Sequence, residues 1–363
     1  MSLLPFIARI VEHQNLDATQ AEDAMRVILE GRASHVQIAA FLTAMRMKGP
    51  AVAELVGLAR AMRDMAAKVR PDLPAGQPLL DTCGTGGDGA GTFNISTLAA
   101  FVAAGAGVHV AKHGNRSISN TAAGSADLLE SFGIEIALEP AQTARAIREV
   151  GIGFLFAPAV HTAMRYAQPV RAELKLRTVF NLLGPLTNPA GADAQLVGTP
   201  DAHTAELLAG ALAALGLRRG FVVHGSDGLD EITTTGPTLV FEVADGAVTR
   251  RTVEPCDFGI PMATAAQLKG GDSARNLEIA RAILGGAPGA ARDVVIANSS
   301  ASLVAADVAA DWMEGASMAA HSIDSGAAWS RVEALAEFSQ TARSGPAALS
   351  ETAKHPGLRS EDL

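Results

Sequence analysis

The sequence predicts an α/β protein in two parts: a small all-helical N-terminal domain, then a large domain built on a central, mostly parallel sheet. Three observations lead there. Apolar residues through about the first 70 positions recur at helical spacing. From Leu79 onward, short apolar runs alternate with alanine-rich helical stretches, the grammar of a sheet covered by helices on both faces. One pair of alternating runs flanks Asp245-Gly246, a hairpin signal that implies an antiparallel addition.

Leu3, Ile7, Ile10 and Val11 mark the first helix. Thr19 with Glu22 makes a capping-box pattern ahead of AMRVILEG, which Gly31 stops; Ser34 with Gln37 opens HVQIAAFLTAMRM, ended by KGP. VAELVGLARAMRDMAAKV supplies a fourth helix before the breaker-rich RPDLPAGQP at 70–78. The strand candidates are LLDTC, VHVAK, GFLFA, AQLVGT and GFVVHG, separated by helices such as TLAAFVAAGAG, AQTARAIREVG and HTAELLAGALAALG. LVFEVADGAVTRRTV is the hairpin. The stretch 159–177, AVHTAMRYAQPVRAELKLR, reads as helix and interrupts the strand series. The expected limits are 1–72 for the helical domain, with 159–185 packing on it, and 73–158 plus 186–345 for the α/β domain. A poorly ordered tail is expected over 346–363.

The 363 residues are 48% hydrophobic and 18% charged, enough apolar material for a sizeable core. A net charge of -9, aromatic residues at 4% and the lack of a basic run argue against a nucleic-acid surface. Cys83 and Cys256 lack CxxC spacing, so neither a disulfide framework nor a zinc site is written here, and free thiols fit a reducing cytosol. MSLLPFIARIVEHQNL has no basic n-region and turns polar within a dozen residues. Neither a signal peptide nor a spanning helix is expected, and the protein reads as soluble and cytoplasmic.

Chemistry concentrates in three loops. Gly84, Gly86 and Gly89 spell GxGxxG directly after the first strand candidate. A dinucleotide site needs an acidic residue at the end of the second strand, where this chain has Lys112, His113, Asn115 and Arg116. No GKS or GKT follows, so the loop is not a P-loop. A glycine turn leading through Asn94, Ser96 and Thr97 into a helix start is a phosphate cradle, because first-turn amides are unsatisfied and carry partial positive charge. The alternative is a tight strand-to-helix turn capped by Ser96. Asp88 inside the loop argues against that alternative, since an acid there would repel phosphate unless it served a metal or a ribose hydroxyl.

The second loop, KHGNRSISNTAAGSADLLESFG, mixes the cationic donors Lys112, His113 and Arg116 with neutral Asn115, Ser117, Ser119 and Asn120, ahead of a helix opening near Ser125. Such mixed donors suit anion recognition. The third, HGSDGLDEITTTGPT, places Asp230 and Glu231 just beyond a strand, where open α/β sheets bind ligands. Adjacent carboxylates beside a diphosphate suit Mg2+, and the plain alternative is an acidic surface turn. DEITTTG also resembles the acidic signature of the commonest phosphoribosyltransferase fold, but that signature wants a hydrophobic strand running directly into the acids.

Together, GTGGDGAGTFNIST, KHGNR, GSADLLESFG, RTVFNLLGPLTNPA and DGLDEI resemble the anthranilate phosphoribosyltransferase family in order and spacing, from about residue 3 to about residue 340. The resemblance implies a nucleoside-phosphorylase-like fold with the active site at the hinge between its domains, and a homodimer formed through the helical domain. It implies that anthranilate displaces diphosphate from 5-phosphoribosyl diphosphate (PRPP), with Mg2+ required, in tryptophan biosynthesis. Carried over, Gly84, Gly87, Asp88, Thr92, Asn94, Ile95, Ser96 and Thr97 would hold PRPP, with Ser96 also reaching Mg2+. Lys112, His113, Gly114, Asn115, Arg116, Ser117, Ser119, Asn120 and Ser125 would form the facing loop. Lys112, Asn115 and Arg171 would carry catalysis, with Gly84, Asn115 and Arg171 meeting anthranilate, and Asp230 and Glu231 would hold Mg2+. NLLGPLTNP reads as an inter-domain connector. One departure is SISNTAA after Arg116, one residue longer than the usual family loop. The runner-up readings are a pyrimidine nucleoside phosphorylase-like enzyme and a non-catalytic relative that binds nucleic acid.

Overall fold

The computed structural model describes residues 2–116 and 124–343, so Ser117, Ser119, Asn120 and the expected tail over 346–363 lie outside the described residues. Four helices open the chain: α1 (Leu4–Val11), α2 (Ala18–Leu29), α3 (His35–Lys48) and α4 (Val52–Met65). Their starts follow capping chemistry. Ser34 accepts the Gln37 N–H at 3.3 Å, as its spacing predicts. The box on α2 lies two residues earlier than expected: Asp17 accepts the Gln20 N–H at 2.8 Å, and Gln20 accepts the Asp17 N–H at 3.2 Å. The cap must sit on the extended residue before the first turn, and Thr19 is already inside the helix. A buried Lys48–Glu54 pair at 2.7 Å, with Glu54 also accepting the Leu16 N–H at 2.9 Å, ties the α3–α4 corner to the α1–α2 loop.

The seven-stranded sheet runs β3-β2-β1-β4-β5-β6-β7. Its strands are β1 (Leu79–Asp81), β2 (His109–Gly114), β3 (Ile152–Phe156), β4 (Ala194–Gly198), β5 (Arg219–Gly225), β6 (Thr238–Ala244) and β7 (Ala247–Val253). Neighbours from β3 to β5 are parallel, and the β6–β7 hairpin pairs antiparallel. Strand order reverses where β1 meets β4, so the connections leave in opposite directions and open a crevice beyond the C-terminal strand ends.

The remaining helices are α5 (Ile95–Gly105), α6 (Ser125–Ser131), α7 (Pro140–Val150), α8 (Ala157–Val160), α9 (Gln168–Leu174), α10 (Phe180–Leu183), α11 (Ala202–Ala214), α12 (Ser273–Leu284), α13 (Ala290–Ala305), α14 (Trp312–Asp324) and α15 (Ala327–Arg343). Alternation along β5 sends Phe221 and Val223 into one core with Phe101 of α5 and Leu303 of α13, and Val222 into the other. That second core joins Leu208 of α11 to Leu55 and Leu58 of α4, so the helical bundle and one face of the sheet share buried surface. Ala167, Val170 of α9 and Phe180 of α10 belong to it as well.

The stretch 159–177 is not one continuous helix. α8 ends at Val160, His161 leaves helical geometry at φ −113° and ψ 55°, and a 3-10 turn over Thr162–Tyr166 precedes α9. Pro169 sits in the first turn of α9, where its missing N–H costs nothing; deeper in a helix it would clash with the preceding turn. Among the described residues no helix is long and apolar enough to cross a membrane.

Candidate active site

A cleft of about 1160 Å³ opens beyond the C-terminal ends of β1, β2 and β5. Its walls include the loop after β1, the end of β2, the α8–α10 segment, and the Asp230-Glu231 turn. Gly86, Gly87, Gly89 and Gly91 all lie at positive φ, between 61° and 91°, which lets the loop after β1 fold back before entering α5. The exit of this loop is held where Thr92 bridges Lys269 and the Gly270 N–H donates to Gly91 O at 2.9 Å.

Ser96 does not cap this turn. Asn94 occupies the N-cap position of α5, and Ser96 lies one residue inside the helix. The Ser96 N–H donates to Glu231 Oε1 at 3.1 Å, and its carbonyl accepts the Thr82 hydroxyl at 3.0 Å. Ile95 and Thr97 are buried against the sheet.

The acidic pair is fixed from beneath. Buried Asn298 on α13 accepts the Ile232 N–H and donates to Ile232 O, both at 2.9 Å, which clamps the residue next to Glu231. Gly198 at the end of β4 lies so close to the Asp230 carbonyl that a methyl group there would overlap it. Asp88 joins the pair, accepting the Asp230 N–H at 3.5 Å and the Ala90 N–H at 3.1 Å. Three carboxylates therefore converge. Burial, then repulsion from Asp88, holds the Asp230 carboxyl above the usual range; burial, then Asp230, does the same to Glu231, opposed by Lys112. An oxygen-only donor set short of positive charge suits a hard divalent cation.

Lys112 extends from β2 into this space. Its buried ammonium donates to Thr82 O at 2.7 Å and to the Thr82 hydroxyl at 3.2 Å. Burial draws its pKa down, against the pull of Asp81, Cys83 and Glu231. His113, next on β2, points to the opposite side. Its N–H donates to Asp81 Oδ1 at 3.0 Å, and Nδ1 lies 3.1 Å from Gly184 O. His113 and His161 face each other with ring centroids 5.1 Å apart, and the buried Nε2 of each has no hydrogen-bond partner among the described residues. Burial lowers the pKa of both; His161 falls to about 3, with His113 adding to the effect. His113 is thus a neutral group, not a cation in the loop.

Arg116 also departs from expectation. Its guanidinium is half exposed and forks onto Glu130 at 2.5 and 2.6 Å and onto Asp127 at 3.1 Å. Those acids lie three residues apart on one face of α6, so this charge is neutralised within the protein. Asn115 O accepts the Ser125 hydroxyl at 3.2 Å, joining the end of β2 to the start of α6, and Gly114 leaves room for that hydroxyl.

Arg171 lies across the cleft on α9. It rests 5.2 Å over the Phe180 ring and makes one long bond, 3.4 Å, to Gln168 Oε1. Burial lowers its pKa, and among the described residues it has no carboxylate partner within ion-pair distance. An arginine so placed is ready for an anionic group brought by a ligand.

The RTVFNLLGPLTNPA segment does more than connect. Asn188 donates to Asp81 Oδ2 at 2.7 Å and to Ala111 O at 2.8 Å, while Gly184 O meets His113. Arg177 reaches the glycine loop, donating to Thr85 O at 3.3 Å. With His161, these residues were missed in the sequence; polar side chains punctuating an apolar run were the available signal. Asp81, Cys83 and His113 also cluster, but both Asp81 oxygens are already bonded and burial pushes the Cys83 thiol up, so this trio holds the β1–β2 junction.

Residues 76–329 match the glycosyl transferase family, a/b domain, and residues 4–66 match the glycosyl transferase family, helical bundle domain. The chain is 68% identical over 338 residues to an anthranilate phosphoribosyltransferase of Solibacter usitatus, covering 93% of this chain and 99% of that protein. Against one from Moorella thermoacetica the identity is 52% over 329 residues, covering 91% and 96%. Among solved structures, the fold is similar to anthranilate phosphoribosyltransferase from Thermus thermophilus, at TM-score 0.86 and 42% identity over 92% of this chain and 99% of that one. It is also similar to the Saccharomyces cerevisiae enzyme in complex with PRPP and Mg, at TM-score 0.83 and 28% identity over 93% and 98%.

Proposed function

Because this chain belongs to the anthranilate phosphoribosyltransferase family of glycosyl transferases, we infer that its cleft transfers the phosphoribosyl group of PRPP to the amine of anthranilate and releases diphosphate, a step of tryptophan biosynthesis. The observation that carries this reading is the division of charge across the cleft. A glycine loop, a helix N-terminus and three carboxylates stand at one end, and Arg171, which among the described residues has no carboxylate partner, stands at the other.

At the first end, Gly84, Gly87, Asp88, Thr92 and the Asn94–Thr97 turn hold PRPP through loop and first-turn amides. Asp230 and Glu231, with Ser96, would hold Mg2+, which when bound would offset the charge developing on the departing diphosphate. Lys112, buried beside Thr82 and drawn on by Glu231, brings its amino group to the same end of the cleft, where a charge counts for more than in solvent. At the second end, Arg171 pairs the anthranilate carboxylate, and Asn115 with Gly84 orients the ring toward the ribosyl carbon.

The C1–O bond to diphosphate lengthens first and gives an oxocarbenium-like centre. The aromatic amine of anthranilate is already neutral at pH 7, so its lone pair attacks C1 without prior deprotonation, and the proton the nitrogen then sheds passes to the departing diphosphate or to water.

We also propose a homodimer formed through the helical domain. Val36 and Met47 on α3, each 78% exposed, and Leu4 and Val11 on α1 are apolar side chains left open to solvent there. Two free cysteines fit a cytoplasmic setting. The function is tested by adding PRPP and Mg2+ with and without anthranilate and measuring diphosphate. Release that depends on anthranilate is expected; release at the same rate without it would contradict the assignment.

A further inference from the structure

Arg177 follows α9, where Lys175 turns the chain at φ 50°, and its guanidinium comes to rest on the glycine loop. Gly87 lies at φ 91°, and a methyl group added there would land on the guanidinium itself, with Nη1 and Cζ as the atoms met. Nη2 donates to Thr85 O, two residues earlier in the loop, at 3.3 Å. Among the described residues Arg177 forms no ion pair within 4 Å, yet its charge is felt by Asp230 on the far side of the loop. The loop is thus pinned at its tip by a side chain that needs the hollow left by a glycine.

We propose that Arg177 is a positioning residue for PRPP: it latches Thr85 and Gly87 from behind, so that the loop amides face the diphosphate in a fixed arrangement. This rests on the reading of the cleft given above. The latch also has a place in the chain that gives it a second consequence. Arg171 and Arg177 flank one turn, and Phe180 beneath Arg171 begins α10, so a single short segment carries the anthranilate-facing arginine and the latch on the PRPP loop. Loss of the latch loosens the diphosphate end first, because Arg171 keeps its own support on Phe180.

The test compares wild type with Arg177→Gln, Arg177→Lys, Gly87→Ala and the Gly87→Ala, Arg177→Gln double variant. Calorimetric titration with PRPP and Mg2+ is run beside steady-state kinetics and thermal melts. Arg177→Gln is expected to weaken PRPP binding and raise its KM about tenfold, the scale of one charged hydrogen bond, with the anthranilate KM changed less than about twofold. Arg177→Lys should recover part of the loss. The double variant should be no worse than the poorer single one, since both changes undo the same contact. Equal PRPP affinity in wild type and Arg177→Gln overturns the proposal, as do losses that multiply in the double variant. Wild type that binds PRPP but forms no product would refute the transferase reading and leave the latch standing; wild type that does not bind PRPP would refute both.

Discussion

Glu231 Oε1 accepts the Ser96 N–H at 3.1 Å, which joins the acidic turn after β5 to the first turn of α5, 135 residues away in sequence. The carboxylate pair and the glycine-loop helix are therefore one site. Burial, with repulsion from Asp88 on Asp230 and from Asp230 on Glu231, keeps both carboxyls above the ordinary range. A cation that relieves this repulsion must first displace protons, so apparent Mg2+ affinity should tighten as pH rises from about 6 to about 8. Asp230→Asn with Glu231→Gln should lower turnover by about 100-fold or more and abolish that pH dependence. Initial rates across a Mg2+ titration at two pH values check this, and an unchanged titration would sink the metal assignment.

Arg171→Ala removes a cleft arginine that, among the described residues, has no carboxylate partner. The anthranilate KM should rise about 10- to 100-fold, the scale of a lost charge-assisted pair, while the PRPP KM moves less than about twofold. Steady-state kinetics with each substrate varied separately decide it; equal effects would count against the assigned role.

His161 is held at about 3, against an ordinary 6.5, by burial and by its neighbour His113. Below 6.5 the unfolded chain takes up a proton that the folded chain refuses. Stability from this group is complete above 6.5 and drains away on acidification toward about 3; by about pH 5 the loss is about 2 kcal/mol. His161→Asn should therefore lose less stability than wild type between pH 7 and pH 5. Denaturant midpoints at the two pH values measure the difference, and parallel losses would contradict the account.

Val36 and Met47 lie about three turns apart on α3 and so share a face. If the proposed subunit contact uses this face, wild type should sediment as a dimer and the Val36→Glu, Met47→Glu variant as a monomer, without loss of helix content; a wild type that sediments as a monomer would contradict the proposal. A variant that sediments like wild type would place the subunit contact elsewhere.

What the sequence disclosed was mostly local. The strands β1 to β5 were readable as apolar runs between helices, and Asp245-Gly246 marked the β6–β7 hairpin. Caps were less secure: Thr19–Glu22 and Asp17–Gln20 both fit the pattern, and only the extended backbone at Asp17 chooses between them. The break after Val160 has no Gly or Pro following it to mark it, and Pro169 marks only the start of α9, where it sits in the first turn. Within the site, the glycine loop and the acidic pair were visible because each is a compact motif. Arg177 on Gly87, Asn188 on Asp81 and His161 on His113 were not, because each is a contact between distant segments that exists only once the sheet has assembled. Arg116 is different: the two acids that neutralise it lie 11 and 14 residues on, in α6, and it is the turn of the chain into that helix that brings them together.

The central claim is that this cleft consumes anthranilate together with PRPP, and the loss of anthranilate fluorescence tests it most directly. With the full chain, PRPP and Mg2+, the signal should decay to completion at a rate proportional to enzyme, and it should stay constant when PRPP or Mg2+ is omitted. An undiminished signal at high enzyme concentration, with phosphate-dependent cleavage of a pyrimidine nucleoside in its place, would contradict the account.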